Sequence, residues 1–185
     1  MSRNMLAAPL PLRGRDAELA EVMSALQAGQ SVLLFGPEAV GKSAIARTVA
    51  SANILLLDPF EHVSGHRAHR VLHWLDQGRV AVATSRTRRR SDIGAVGRVL
   101  WRFTPVRVEP LSRAWIRQIL WDILGLALHR SQALPSSWWS QAIAASRGRP
   151  GYAAAIATGT ARALDASGRV PSPHLVLLDA RLEWR

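Results

Sequence analysis

The sequence SVLLFGPEAVGKS, at residues 31–43, carries the strongest structural signal in this chain of 185 residues. Its apolar run at residues 32–35 is typical of a buried strand, and the sequence AIARTVA that follows the segment is typical of a helix. Between the two lies the spacing G-x-x-x-x-G-K-S, which in a strand–loop–helix context indicates a phosphate-binding loop. Gly36 and Gly41 allow backbone angles that a side chain would hinder.

The residue types of this loop match the chemistry of a nucleotide phosphate. Successive backbone N–H groups would point inward and hold the β-phosphate, assisted by the N-terminus of the helix. We expect Lys42 to reach the β- and γ-phosphates and the Ser43 hydroxyl to bind Mg²⁺. The residues predicted to contact the nucleotide are Gly36, Pro37, Glu38, Ala39, Val40, Gly41, Lys42, Ser43 and Ala44.

The chain is strongly basic and contains no cysteine. It has 24 Lys and Arg against 13 Asp and Glu, a formal charge of +11, which favours anionic partners, nucleic acid first. Ordinary solvated surfaces are the alternative explanation. Without cysteine there is neither a disulfide framework nor a thiolate metal site. No apolar run reaches the roughly 18 residues that span a membrane, and the N-terminus makes a poor signal peptide, so we expect a cytoplasmic location and no membrane partner.

The apolar pattern divides the chain into a region of alternating strands and helices and a region that is helical. Strands are expected at ILLL before Asp58, at VAVATS before Arg86 and at residues 106–111, and a short helix is expected at 92–101. Later helices are expected at about residues 112–128, 136–147, 150–165 and 173–184. The sequence thus predicts an α/β fold with a short, mostly parallel sheet, in which residues 1–111 form a nucleotide-binding core and residues 112–185 a helical lid.

Two charged residues directly follow predicted strands. Asp58 ends the run ILLLD, and ligands of open α/β sheets bind at the carboxyl ends of the strands. Asp58 is therefore a candidate for holding Mg²⁺ through water beside Ser43, and the alternative is an aspartate that caps a helix or turn. Arg86 lies just beyond the next strand, where its side chain would reach a γ-phosphate.

The order of these motifs resembles that of the STAND branch of AAA+-type P-loop ATPases, the NB-ARC-like nucleotide switch domains. In chain order the matching segments are LRGRDAEL at 12–19, GPEAVGKS at 36–43, LLLDPFEHV at 55–63, ATSR at 83–86, VEPLS at 108–112 and GRP at 148–150. The resemblance implies a domain that binds ATP or ADP with Mg²⁺, with the nucleotide joining lid and core.

The resemblance also implies roles for residues outside the loop. Asp58 would be the Walker B aspartate, and Arg86 would be the sensor that reports the γ-phosphate. Arg15 would flank the adenine, and Pro150 would press on the adenine from the lid.

The chain departs from this group in length. Only fourteen residues separate Ser43 from Asp58, where the group usually has a further strand and helix. If the missing strand is the outer one of the order 5-1-4-3-2, the sheet becomes 5-1-4-3 and no internal pairing is lost. The alternative is that ILLLD is the second strand and that the Walker B strand is absent.

The chain also departs from this group in its catalytic residue. Pro59 follows Asp58, whereas many AAA+ enzymes carry there a glutamate that polarises the attacking water. Glu61 is nearby, which makes Lys42, Asp58, Glu61 and Arg86 the catalytic candidates. Because phosphoryl transfer relies on positioning and charge neutralisation, slow hydrolysis or binding without turnover is expected.

Two further clusters of basic residues concern possible partners. The first cluster consists of Arg86, Arg88, Arg89 and Arg90 with Arg98 and Arg102. It would form a basic surface for DNA, or arginine fingers that reach a neighbouring copy, or a solvated loop. A second cluster contains His62, His66, His69 and His73, where interleaved arginines disfavour a metal ion and favour a solvated or interface surface.

The sequence therefore predicts a Mg·ATP-binding domain that acts as a nucleotide-dependent switch with slow hydrolysis. It would work through a protein partner or by self-assembly. One alternative is a small DNA-associated AAA+ ATPase, such as a regulator of transposition or replication. The other is a degenerate module that binds nucleotide for its structure alone.

Overall fold

The computed structural model describes residues 12–89, 92–127 and 134–183. These residues form a four-stranded parallel sheet with strands β1 (Ser31–Phe35), β2 (Ile54–Leu57), β3 (Val80–Ser85) and β4 (Phe103–Arg107). The helices are α1 (Asp16–Gln27), α2 (Lys42–Val49), α3 (Gly65–Asp76), α4 (Arg113–Ala127), α5 (Ser136–Ser146), α6 (Pro150–Ser167) and α7 (Pro173–Glu183). Short 3₁₀ segments lie at Phe60–His62 and Gly94–Arg102. The predicted α/β class is confirmed.

The strand order of the sheet is β2-β3-β1-β4. In the numbering that the AAA+ resemblance implies, this is the order 5-1-4-3 expected for a sheet without its outer strand. The pairing of β2 with β3, in which Leu56 lies opposite Val82, favours β2 as the Walker B strand. In the order 5-1-4-3-2, the second strand does not pair with the fourth.

Both faces of the sheet are covered because its strands alternate their side chains between two layers. Val32 and Leu34 of β1 pack into the cluster formed with α1 and α2. Leu33, between them, packs into the opposite cluster with Phe60 and the apolar residues of α3. A strand that is apolar at every position is the pattern expected for a parallel strand buried on both faces.

The helices after β4 form their own hydrophobic cluster. Ile116, Leu120 and Leu124 recur at four-residue spacing along α4, so they share one face, and they pack with Trp138 and Ile156 of the following helices. The four helices begin and end within three residues of the predicted boundaries. The division of the chain at residue 111 into core and lid remains a prediction.

The last strand differs from its predicted position at residues 106–111. β4 begins at Phe103 and ends at Arg107, because its register is set by β1: Phe103 lies opposite Ser31 and Arg107 opposite Phe35. The predicted short helix before it is a 3₁₀ segment at Gly94–Arg102. Among the described residues, no helix combines the length and the apolar character that crossing a bilayer requires.

Removal of the Phe60 ring should destabilise the fold strongly. Phe60 is fully buried under the sheet, and its ring centroid lies 5.4 Å from that of Phe103. We expect Phe60→Ala to lower the free energy of unfolding by about 3–5 kcal/mol, since it leaves a cavity in the core. Urea denaturation measures the change. The control Leu178→Ala, at an exposed position of α7, should change the same free energy by less than about 0.5 kcal/mol.

Candidate functional site

The loop between β1 and α2 leaves the middle of the sheet at its carboxyl edge. Gly36 and Gly41 have φ values of +153° and +102°, which a residue with a side chain rarely adopts. A Cβ atom at Gly36 would lie 2.4 Å from the carbonyl oxygen of Val108, so the backbone approach there requires glycine. Ala39 also has a positive φ, +58°. The loop thus has the unusual backbone that the motif predicts.

Lys42 is held over the loop by backbone carbonyl groups. Its Nζ donates hydrogen bonds to the oxygens of Gly36, at 2.8 Å, and Pro37, at 2.7 Å. Burial lowers the pKa of the Lys42 ammonium below its ordinary value, and the nearby Glu61 carboxylate acts in the opposite direction. The ammonium therefore lies inside the loop and at a point where an anion would be stabilised.

Asp58 and Ser43 meet at the carboxyl edge of the sheet. The Ser43 Oγ donates a hydrogen bond of 2.9 Å to Asp58 Oδ1, and the Thr84 hydroxyl donates to the same oxygen. A hydroxyl and a carboxylate oxygen are the hard ligands that Mg²⁺ prefers. The sequence predicted Ser43 and Asp58 as the residues that hold Mg²⁺. It did not single out Thr84, although the position of Thr84 near the carboxyl end of β3 was the available signal.

Glu61 lies beside this pair and is oriented by the segment that follows β3. Its Oε1 accepts hydrogen bonds from the backbone N–H of Arg86, at 2.5 Å, and from Ser85 Oγ, at 2.8 Å. Its Oε2 is buried and has no hydrogen-bond partner among the described residues. The carboxylate is thus fixed through one oxygen only.

The side chain of Arg86 extends toward the loop from the outside. Its Nη2 lies 3.5 Å from Glu38 Oε1, and both side chains are exposed. An exposed ion pair of this kind contributes little to stability, so the guanidinium can exchange Glu38 for another anion at low cost. The structure places Arg86 near the phosphate-binding loop, and its role as a sensor remains a prediction.

Arg15 and Pro150 approach the same loop from α1 and α6. Arg15 is only 2% exposed, and its Nη2 donates to the Val40 carbonyl oxygen at 2.7 Å. A Cβ atom at Gly41 would lie 3.4 Å from Pro150 Cγ and 4.0 Å from Arg15 Nε. The backbone N–H of Gly151 also donates to the Ala39 oxygen at 2.9 Å. The start of α6 and the loop are thus in direct contact, while the predicted contacts of Arg15 and Pro150 with adenine stay predictions.

The predicted basic surface is not a single surface. Arg86 follows β3 at the carboxyl edge of the sheet, whereas Arg102 precedes β4 at the amino edge, so the two lie at opposite ends of parallel strands. Arg90 lies outside the described residues. His66, His69 and His73 lie on α3, whereas His62 directly follows Glu61. The described part of the chain contains no group of three or more His, Cys, Asp or Glu side chains arranged to hold a metal ion.

Comparisons with known proteins show which fold this chain has. No protein-family model matches the sequence, and neither does any curated protein. Solved structures do match: RuvB of Thermotoga maritima, a Holliday junction branch migration motor, superimposes with a TM-score of 0.55 and 16% identity over 88% of this chain. The chain has the AAA+-type P-loop fold.

Two other AAA+-type structures lead to the same assignment. The AAA domain of FIGL-1, solved in complex with ADP, has a TM-score of 0.56 and 15% identity over 94% of this chain and 82% of its own. The ORC2 protein of Aeropyrum pernix, solved with ADPNP and ADP, has a TM-score of 0.54 and 11% identity over 97% of this chain and 71% of its own. The chain spans 65% of the length of the RuvB structure. The STAND subgroup remains a prediction.

A side chain at Gly36 should disrupt the loop. We expect Gly36→Ala to lower the free energy of unfolding by more than Gly29→Ala, because a Cβ at Gly36 meets the Val108 oxygen at 2.4 Å while a Cβ at Gly29 meets nothing within 4 Å. Gly29 has a φ of +72°, so its substitution reports the backbone strain alone, about 1–2 kcal/mol. Urea denaturation of both variants measures the difference, and equal losses would contradict the close approach.

Proposed function

We propose that this chain is a Mg·ATP-binding AAA+-type domain that acts as a nucleotide-dependent switch and hydrolyses ATP slowly. The observation that carries the proposal is the hydrogen bond of 2.9 Å between Ser43 and Asp58, which joins the end of the phosphate-binding loop to the end of β2. Together with Lys42, these residues supply the cation, hydroxyl and carboxylate that a Mg·nucleotide requires. Bound Mg²⁺ would neutralise phosphate charge and would be held by Ser43 and Asp58, directly or through water.

Nucleotide binding would change the hydrogen-bond partners of Lys42. In the structure its ammonium is satisfied by two carbonyl oxygens of its own loop. A phosphate offers a charged acceptor, and hydrogen bonds between charged partners are stronger than those to neutral carbonyl groups. Nucleotide binding would therefore release the carbonyl groups of Gly36 and Pro37 and change the conformation of the loop.

The contacts between the loop and α6 would transmit a change in the loop to the helices after β4. The Ala39 oxygen accepts from the N–H of Gly151 at the start of α6, and Leu111 donates to Gly148 at 2.7 Å just before that helix. A loop that changes conformation on binding phosphate would shift α6, and with it the helices that share its hydrophobic cluster. Arg86 would add to this by exchanging Glu38 for the γ-phosphate.

Hydrolysis would be slow because the candidate general base, Glu61, is poorly accessible. Pro59 occupies the position after Asp58 and has no side chain that could accept a proton. Glu61 has one oxygen occupied by two donors and a second oxygen that is buried and unpartnered among the described residues. We assign this second oxygen, Oε2, as the acceptor that polarises the attacking water once the site rearranges.

The specific observation in favour of a second function is the likeness to RuvB, a motor that acts on Holliday junctions, in a chain whose formal charge is +11. The chain would then be a small DNA-associated AAA+ ATPase. An affinity for duplex DNA that falls steeply between about 50 and 200 mM salt would support this function.

Replacement of Lys42 should weaken nucleotide binding and stop turnover. We expect Lys42→Ala to weaken Mg·ATP binding by about 10- to 100-fold, as the loss of a charged hydrogen-bond donor implies, and to remove phosphate release. Calorimetry and a phosphate-release assay measure the two effects. Arg47→Ala, an exposed cation on the same helix, is the control that should retain both.

Chemical labelling tests the same contact without a substitution. Lys42 is the only lysine of the chain, so an amine-reactive acylating reagent has one side-chain target. Mg·ATP should protect that residue, and mass spectrometry reports the protection. If the unaltered protein bound no Mg·ATP, the proposal would be wrong. Binding without any turnover would favour the structural module, provided that no partner interaction depended on the nucleotide.

Glu61 should matter for turnover and not for binding. We expect Glu61→Gln to reduce the rate of phosphate release by about 10²–10⁴-fold, the usual contribution of a general base, with the affinity for Mg·ATP nearly unchanged. The amide keeps the hydrogen-bond acceptor for Ser85 and Arg86 and removes the basic oxygen. Glu21→Gln, on the exposed face of α1, is the matched control. An unchanged rate in Glu61→Gln would leave Glu61 as a structural residue only.

A further inference from the structure

The edge of the sheet opposite the phosphate-binding loop carries a separate pocket. Its volume is about 340 Å³, and it lies where three parallel strands begin, next to Ser31 of β1, Arg79 before β3 and Phe103 of β4. Trp101 and Arg102 complete one side of it. Since the loop leaves the carboxyl end of β1, this pocket is separated from the loop by the length of the sheet.

A second pocket of about 360 Å³ lies on the exposed face of α3. His66, Arg70 and His73 line it, four or three residues apart along the helix, together with Trp74. The two pockets adjoin, because the guanidinium of Arg79 in the first pocket lies 4.3 Å from the centroid of the Trp74 ring in the second. We call this continuous region the basic aromatic face; it comprises Arg70, His73, Trp74, Arg79, Trp101 and Arg102.

Trp101 is the least buried large apolar side chain of the described residues, with 74% of its surface exposed. Core packing therefore does not account for its position. Arg102 lies 5.0 Å from the centroid of the Trp101 ring and also pairs with Asp76 at 2.9 Å. An accessible ring flanked by guanidinium groups is a surface on which a planar base stacks while its phosphate meets a cation.

The charged residues that line this face are basic, and the acidic Asp76 lies beside it and pairs with Arg102. No Asp or Glu lines either pocket among the residues that the structure describes, and Asp76 alone reaches Arg102 from α3. The formal charge of the chain, +11, adds a long-range attraction for polyanions. Protein interfaces are also enriched in Trp and Arg, so the positive charge of this face, and not its residue types alone, favours a polyanion.

We propose that the basic aromatic face binds single-stranded nucleic acid, with a base stacked on Trp101 and phosphates at Arg79, Arg102 and Arg70. A single strand fits better than a duplex because only unpaired, unstacked bases expose a face to a tryptophan ring. The inference rests on the second function proposed above and gives it a surface and a ligand class. It requires no nucleotide in the phosphate-binding loop.

The test uses the full chain without added nucleotide and a fluorescein-labelled oligothymidylate of about 20 nucleotides. Fluorescence anisotropy gives the dissociation constant at several salt concentrations. We expect Trp101→Ala to weaken binding by about tenfold and Trp101→Phe to restore most of it, since phenylalanine keeps an aromatic face. We expect Arg79→Gln to reduce the slope of log affinity against log salt by about 0.7, the value for one lost contact with a single-stranded phosphate.

Two matched controls come from other surfaces of the chain. Trp121→Ala removes a ring that is 62% exposed on α4, and Arg169→Gln removes an exposed charge between α6 and α7. Neither variant should change the affinity or the salt slope. Circular dichroism checks whether each variant folds. If Trp101→Ala does not fold, the comparison with Trp101→Phe still tests the role of the ring.

Three outcomes would overturn the inference. The first is an affinity for the oligonucleotide that is unchanged in Trp101→Ala and in Arg79→Gln. The second is equal affinity for inorganic polyphosphate of similar charge, which has no bases to stack. The third is tighter binding of a duplex of the same length. None of these bears on Mg·ATP binding, which the labelling of Lys42 tests separately.

Discussion

The parallel pairing of β1 with strands on both sides is the constraint on which the rest of the structure depends. Because β1 lies between β3 and β4, the loop that follows it emerges at the centre of the sheet, where the carboxyl ends of its neighbours also lie. The contact is close enough that the Val108 carbonyl occupies the space of a side chain at Gly36. The loop is therefore shaped by its neighbours as much as by its own glycines.

The same arrangement brings together polar and charged side chains that are distant in the sequence. Asp58 follows β2, and its Oδ1 accepts hydrogen bonds from Thr84 of β3 and from Ser43 in the first turn of α2. Glu61 arrives through the short 3₁₀ segment after β2 and is held by the backbone of Arg86. Burial lowers the pKa of the Lys42 ammonium, and the carboxylates of Glu61 and Asp58 act in the opposite direction. A phosphate bound beside the ammonium would add a further charge of opposite sign.

The two edges of the sheet differ in chemistry. The carboxyl edge combines one partly buried lysine with Asp58 and Glu61, a combination suited to a metal ion and a phosphate chain. The amino edge combines arginines with an exposed tryptophan around a pocket that no described Asp or Glu lines, and Asp76 pairs with Arg102 beside it. α6 contacts the phosphate-binding loop at the carboxyl edge, through the hydrogen bond from Gly151 to Ala39, so a nucleotide-dependent shift of α6 would act at that edge.

Much of the architecture follows from the sequence by itself. The G-x-x-x-x-G-K-S spacing, the buried apolar strands and the lid helices are local patterns, since each depends on residues close together in the chain. The short distance from Ser43 to Asp58 predicted a sheet that lacks one strand, and the pairing of β2 with β3 favours the outer strand as the missing one. Tertiary structure alone decided the start of β4, the contact of Thr84 with Asp58, the burial of Arg15 and the separation of Arg102 from Arg86. These features depend on which strands pair and in which register, and that depends on packing between distant segments, which a local pattern does not contain.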